Sequence, residues 1–294
     1  MHEMRRQEFP KCDQLQEVWI YWSEIQSKGK KRGTITGKEP PKVGILRMEG
    51  TNNEYEAYNA FLESGCEPQY VHLNQLKRRE VSLEVFSGLF LPGGFSAGDY
   101  IRAGAIFASR LKSSSFTDLI RFIDSGKPVV GVCNGFQVLS ELGFLPGSGH
   151  KRSIALDHND SNRYECRLTY IRRVSKSPVF KSHLKPDLPY IVPVAHAEGK
   201  IRFDDQTTYE KLIDKGQIIF KYSTPDGLDG DYPWNPNGTA GSISGLSNPE
   251  GNVIGLMPHP ERLMDHNIRY GGGKTEETIG KAFFTDLSEY LSAF

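Results

Sequence analysis

The segment Lys127-Pro-Val-Val-Gly-Val-Cys-Asn-Gly-Phe-Gln-Val-Leu-Ser140 changes rhythm halfway along. Val129, Val130 and Val132 are β-branched and apolar, the pattern of a short strand buried on both faces. Phe136 to Leu142 has helical spacing and is stopped by Gly143. Cys133 stands between the two, with Gly131 and Gly135 on either side. A side chain at so sharp a strand-to-helix bend needs small neighbours, because the backbone folds back on itself and a substrate must come close. The N-terminus of the following helix puts partial positive charge beside the sulfur, which favours thiolate over thiol. A buried structural cysteine is the ordinary fate of this residue type. The flanking glycines and the strand-turn-helix setting favour a nucleophile.

The same rhythm extends outward. Val43 to Met48 reads as a strand, and Thr51-Asn-Asn-Glu54 has the form of a capping box opening a helix that ends at Gly65. Tyr70 to Leu73 and Gly88 to Leu91 read as further strands, the latter running into Pro92-Gly-Gly-Phe95. Phe116 to Asp124 reads as a helix returning to the Cys133 strand. Strands alternating with helices imply an α/β fold: an open, largely parallel twisted sheet covered on both faces, with function gathered at the strand ends. Farther on, Arg167 to Val174, Tyr190 to Ala195 and Gln217 to Lys221 read as strands, and Thr207 to Asp214 as a helix. Ser223 to Gly241 reads as loop, Ser242 to Leu246 and Asn252 to Met257 as a hairpin about Asn248-Pro-Glu-Gly251, and Thr275 to Leu291 as a closing helix. Residues 1–41 differ: an aromatic cluster from Val18 to Ile25 is followed by a Lys/Gly/Thr/Pro-rich stretch. They read as an N-terminal extension and linker, with one domain over 42–294.

The 294 residues balance 36 Lys and Arg against 36 Asp and Glu, so no global field favours nucleic acid or an anionic membrane. Cys12, Cys66, Cys133 and Cys166 lack paired or metal-ligand spacing, and no signal peptide or long apolar run is apparent. The expectation is a reduced, cytoplasmic setting without membrane, nucleic acid or bound metal. Gly271-Gly-Gly-Lys-Thr275 lacks the glycine that a phosphate-binding loop needs where Ile268 stands. The His/Asp-rich stretch from Asp157 to Asp160 lacks metal-site spacing.

A cysteine nucleophile needs a base, and two tetrapeptides offer one. Pro258-His-Pro-Glu261 and Ala195-His-Ala-Glu198 each follow a predicted strand and pair a histidine with a carboxylate two residues on. If the chain is extended there, the two side chains point the same way and the carboxylate can orient the ring. The prolines stiffen the first, which favours His259 while leaving His196 open. Acyl transfer also needs oxyanion donors, and Gly93-Gly94-Phe95 and Asn134 can present backbone N–H groups. An isolated Pro-Gly-Gly is more often a plain turn; closing a strand of the Cys133 sheet favours the functional reading.

Gly131-Val-Cys-Asn-Gly-Phe-Gln137 with His259-Pro-Glu261 resembles the signature of class I glutamine amidotransferases. Pro92-Gly-Gly-Phe-Ser-Ala-Gly-Asp-Tyr-Ile-Arg-Ala-Gly104, Asn235-Pro-Asn-Gly238 and Gly255-Leu-Met-Pro-His-Pro-Glu-Arg262 narrow the resemblance to the branch serving phosphoribosylformylglycinamidine synthases of purine biosynthesis. The resemblance runs from about Lys42 to the closing helix. It implies a Cys133–His259–Glu261 triad, an oxyanion hole at the Gly94 and Asn134 amides, and substrate binding by Gln137 and Phe95. His196 and Glu198 fall in another family block, near the site but outside the triad. The implied activity is hydrolysis of L-glutamine to glutamate and ammonia, with no cofactor in this chain. Implied partners are a synthetase subunit that holds ATP and magnesium, and a small accessory subunit. Rival readings are a glutaminase serving another synthetase, a stand-alone cysteine hydrolase of the same architecture, and a catalytically dead regulatory subunit. The intact set Cys133, His259 and Glu261 speaks against the last.

Overall fold

In a computed structural model, residues 39–147, 151–264, 267–270 and 274–294 are described. The expected extension of residues 1–41 lies outside them, apart from its last three positions. The three valines around Gly131 form β4 (Val129–Val132), each at most 1% exposed, which contributes about 1.5–3 kcal/mol per side chain. With it run β1 (Lys42–Arg47), β2 (Glu67–His72), β3 (Gly88–Leu91) and β11 (Val253–Leu256), parallel in the order β2-β1-β3-β4-β11. The Asn248–Gly251 turn reverses the chain, so β10 (Ile243–Ser247) pairs antiparallel with β11. Beyond it β9 (Ile218–Ser223), β6 (Glu165–Arg173) and β7 (Tyr190–His196) continue antiparallel, making nine strands. The largely parallel reading therefore describes the half that holds Cys133, and hairpin geometry sets the other half.

Strand periodicity distributes the helices over both faces. The Phe90 ring meets Phe61 of α1 (Glu54–Glu63) and Phe284 of α6 (Ile279–Leu291), with centroids 5.4 and 6.2 Å away. One residue on, Leu91 faces the opposite side, where a Cβ on Gly135 would lie 1.9 Å from its carbonyl oxygen. That side carries α4 (Asn134–Glu141), which packs with α3 (Ala105–Asp124), itself beside the short α2 (Leu73–Lys77).

Three local expectations fail for physical reasons. The Thr51 capping box does not form: the Thr51 hydroxyl donates to Met48 O at 2.8 Å, and Glu54 pairs with Arg47 at 3.7 Å. Helix α3 begins at Ala105, well before Phe116. The Ser113-Ser114-Ser115 run, a break by propensity, stays helical because the first two hydroxyls fold back on Arg110 O at 2.9 and 3.0 Å. The backbone bends only at Ser115 (φ −145°, ψ 17°). The start of the closing helix is displaced by a hairpin, β12 (Asn267–Tyr270) and β13 (Lys274–Glu277), so α6 starts at Ile279. A further pair, β5 (Ile154–His158) and β8 (Glu198–Phe203), has no counterpart in the reading, because its exposed face carries Asp157, Lys200 and Arg202 instead of an apolar alternation. Helix α5 (Gln206–Asp214) follows β8, capped by the Asp205 side chain on Thr208 N at 2.8 Å.

Candidate active site

Gly131 and Val132 pair in parallel with Gly255 and Leu256. The chain therefore leaves both strands at the same edge of the sheet, and Cys133 N donates to Leu256 O at 2.8 Å. This register brings Cys133 and His259 together from remote parts of the sequence. Cys133 has φ 51° and ψ −107°, a left-handed conformation that costs a non-glycine residue about 1–3 kcal/mol. The glycines make the bend possible: a Cβ on Gly131 would fall 2.5 Å from Gly135 O. The sulfur donates to Ala195 O at 3.6 Å, and Cys133 is 5% exposed.

His259 Nδ1 meets Glu261 Oε1 at 2.7 Å, with both side chains buried. The pairing does not arise from an extended chain. His259 (φ −107°, ψ 83°) opens a tight turn over Pro260–Arg262, in which Arg262 N donates to His259 O at 3.3 Å and Leu263 N to Pro260 O at 3.2 Å. The turn, with Pro260 pre-set at its first position, curls the carboxylate back under the ring. His259 N donates to Pro193 O at 2.9 Å, which anchors the ring to β7. Burial alone would push the imidazole down, but the Glu261 carboxylate and then the Cys133 sulfur prevail and hold it up at about 10. Its Nε2 is buried without a hydrogen-bond partner among the described residues, available for a reacting proton.

Cys133 and His259 line a cavity of about 240 Å³ together with Asn52, Asn53, Glu56, Gly94, Phe95, Tyr164, Ala195 and Arg262. Gly94 has φ 142°, and a Cβ there would sit 2.8 Å from Gly50 O. A Cβ on Gly93 would sit 2.7 Å from His259 Cε1. Only glycine lets this loop approach the base so closely. Among the described residues neither Gly94 N nor Asn134 N donates to a backbone carbonyl. The Asn134 side chain fixes the elbow: Oδ1 accepts from Ser96 N at 3.4 Å, and Nδ2 donates to Gln137 Oε1 at 3.0 Å and Asp99 Oδ1 at 3.3 Å. Phe95 lies at the rim, its ring stacked on Tyr164 with centroids 6.1 Å apart. Gln137 is not part of the cavity wall; its amide nitrogen donates to Glu198 O at 2.6 Å, behind the elbow.

The second tetrapeptide folds differently. His196 ends β7, and its Nδ1 meets Asn159 Oδ1 at 3.0 Å instead of Glu198. Glu198 opens β8 and accepts from Ala103 N at 3.2 Å through Oε2. Burial, then the nearby His259 and Arg167, push His196 down to about 3. A Cβ on Gly199 would lie 2.6 Å from the His196 ring, so the strand reversal packs directly on it.

Asn52, Asn53, Glu56, Tyr164 and Arg262 of the wall were given no role at the site from the sequence. Asn52 and Asn53 were absorbed by the capping-box interpretation, Glu56 by the helix that follows it, and Tyr164 stood outside every motif. Arg262 entered only as the last residue of the Gly255–Arg262 block, and the turn after His259 is what brings it to the wall. Among the described residues one His/Asp/Glu cluster has metal-like proximity, His183, Asp286 and Glu289. Asp286 is already used as a cap, accepting from the N–H groups of Ser182, His183 and Leu184 at 2.9, 3.0 and 2.9 Å.

The family model of CobB/CobQ-like glutamine amidotransferase domains matches residues 40–291. The phosphoribosylformylglycinamidine synthase subunit PurQ of Picrophilus torridus is 53% identical over 245 residues, 83% of this chain and 96% of that protein. The subunit of the same name from Archaeoglobus fulgidus is 46% identical over 270 residues, 86% of this chain and 98% of that one. A chain in the structure of PurLQS from Thermotoga maritima superposes with a TM-score of 0.66 at 28% identity, over 86% of this chain and 99% of that one.

Proposed function

The chain belongs to the CobB/CobQ-like glutamine amidotransferases, and from that premise we propose that it is the glutaminase subunit of a phosphoribosylformylglycinamidine synthase. It releases ammonia from L-glutamine for a synthetase subunit that converts formylglycinamide ribonucleotide to formylglycinamidine ribonucleotide. The observation that carries the chemistry is the meeting of the Cys133 sulfur, the His259 ring and a glycine loop in one cavity. The extent of identity to the PurQ subunits favours this synthetase over any other.

Free cysteine is only a few per cent thiolate near neutral pH. His259 Nε2 takes the thiol proton, and the imidazolium is stabilised by Glu261. The thiolate attacks the side-chain carbonyl carbon of glutamine, forming a carbon–sulfur bond and a tetrahedral oxyanion. The Gly94 and Asn134 amides receive that charge, each worth about 100- to 1,000-fold in rate. His259 returns the proton to the nitrogen as the carbon–nitrogen bond breaks, and ammonia leaves. Water, deprotonated by the same ring, cleaves the thioester to glutamate and free thiol.

Glu56 and Arg262 are the charged side chains of opposite sign lining the cavity beyond the catalytic groups. They suit the α-ammonium and α-carboxylate of a free amino acid, with Phe95 closing the rim. Arg262→Ala is expected to raise KM for glutamine about tenfold or more with little change in kcat; an unchanged KM removes Arg262 from substrate recognition.

No helix among the described residues is long and apolar enough to cross a membrane, and Cys66, Cys133 and Cys166 are free. We infer a cytoplasmic protein that works with a synthetase subunit, where ATP and magnesium act, and with a small accessory subunit. The presence of a similar chain in PurLQS supports such an assembly. The deciding experiment is Cys133→Ala in the reconstituted complex. Glutamine-dependent synthesis should vanish while added ammonium still supports it; loss with both nitrogen donors would point to failed assembly instead.

A further inference from the structure

The glutaminase reaction uses one imidazole, yet the structure buries two close together. Their Nδ1 atoms meet different partners: a carboxylate oxygen of Glu261 at 2.7 Å for His259, and the carboxamide oxygen of Asn159 at 3.0 Å for His196. The orientation of the Asn159 amide is fixed by its surroundings. Its nitrogen donates to Arg163 O at 2.9 Å and to His196 O at 2.8 Å, and only the NH2 end can serve two carbonyls. The oxygen therefore faces the ring, and the ring atom that meets it must carry the proton. Nε2 of His196 is left as a bare lone pair, buried and without a partner among the described residues.

No side chain facing this ring invites a second proton; the His196 backbone favours one, but less than burial, His259 and Arg167 oppose it. Cationic Arg167 and His259 are the neighbours whose charge reaches it. Glu165, opposite His196 on β6, is held by Ser161 Oγ at 2.8 Å and Arg167 Nε at 3.0 Å. Glu198 on β8 is directed to Ala103 N, and the Cys133 sulfur on the far side donates to Ala195 O. The Asn159 backbone holds the same strand end, its N–H donating to Ala197 O at 2.8 Å.

We propose that Asn159 is a positioning residue for the glutaminase reaction: its neutral amide fixes His196 as an uncharged imidazole protonated on Nδ1, so that His259 is the sole imidazolium beside the Cys133 sulfur. The proposal rests on the reaction assigned above. Its logic is that a thiolate and a departing nitrogen need one proton delivered from one ring. A second imidazolium a short distance away would repel the first and take part of its role. The opposite displacements of the two rings, one held at about 10 and the other at about 3, agree with this division.

The test is Asn159→Asp, nearly isosteric, in the full chain with its synthetase. Imidazole nitrogen NMR on histidine-labelled protein is the first readout, and the pH dependence of glutamine hydrolysis is the second. In the wild type, His196 should remain a neutral Nδ1–H tautomer from about pH 5 to about pH 9. In Asn159→Asp, His196 should titrate within that window. Activity near neutral pH should fall about tenfold or more and recover as His196 loses its proton. A wild-type His196 that titrates near neutrality, or carries its proton on Nε2, overturns the proposal. So does an Asn159→Asp enzyme with charged His196 and a wild-type pH profile. If that variant does not fold, His196→Gln, permanently uncharged, should keep the wild-type pH profile, and a displaced profile counts against the idea. The NMR result does not depend on turnover, so a wild-type protein that never hydrolyses glutamine would sink the functional reading while leaving the tautomer assignment to stand by itself.

Discussion

Two tripeptides that set a glutamate two residues after a histidine, His259-Pro-Glu261 and His196-Ala-Glu198, have opposite fates. In the first, a tight turn folds the carboxylate back onto its own histidine at 2.7 Å. In the second, the histidine ends one strand and the glutamate opens the next, so the carboxylate reaches Ala103 and the ring finds Asn159. One ring is biased to hold a proton and the other to refuse it. The histidine, the glutamate and their spacing were equal; the residue between them and the backbone path around it made the difference.

The largest expected effect breaks this comparison directly. His259→Ala should lower kcat for glutamine by about 1,000-fold or more, as loss of both base and acid requires, whereas His196→Ala should lower it about tenfold. Steady-state kinetics of the two variants side by side is the measurement, and equal modest losses would undo the assignment of the base. Asp99 gives the smallest effect. Its carboxyl is raised to about 6 by burial first, opposed by the Gly104 amide, with Glu198 raising it further and Asn134 lowering it. Glu198 acts on it because it is not paired to His196. A raised acid contributes its full share of stability below its unfolded value near 4 and loses it as pH rises through about 6. The melting temperature of Asp99→Asn relative to wild type should therefore climb by about 2 °C between pH 4 and pH 7. A flat difference across that range would show that the carboxyl is not strained by its surroundings.

The parallel half of the sheet was legible because β3, β4 and β11 are buried on both faces and β1 nearly so, while of the edge strand β2, with Glu67 and Gln69 exposed, only the end from Tyr70 was seen. The elbow was legible because two glycines flank a cysteine between a strand and a helix. Strands β5 and β8 were hidden by charged residues on their open face. The Thr51–Glu54 segment opens α1 as read, with Asn53 at the cap position, but its place at the cavity was missed, because the backbone N–H groups of Asn52 and Asn53 hold Gly93 O at 3.3 Å each and both residues line the cavity. The His259–Glu261 pairing was anticipated for the wrong reason, since prolines suggested an extended chain where Pro260 in fact begins a turn. Asn159 was passed over because its role is a contact across strands, which no local pattern encodes.

The insertion of β11 between β4 and β10 has a consequence during biosynthesis. A nascent chain that has emerged only as far as α4 already contains the sulfur, but the strand that must lie beside β4 and deliver the imidazole is still to be translated. Until that late strand zips into place, the growing polypeptide carries an unarmed thiol at an unfinished sheet edge. Competence for ammonia release thus waits for His259, which is encoded far downstream of the sulfur it serves.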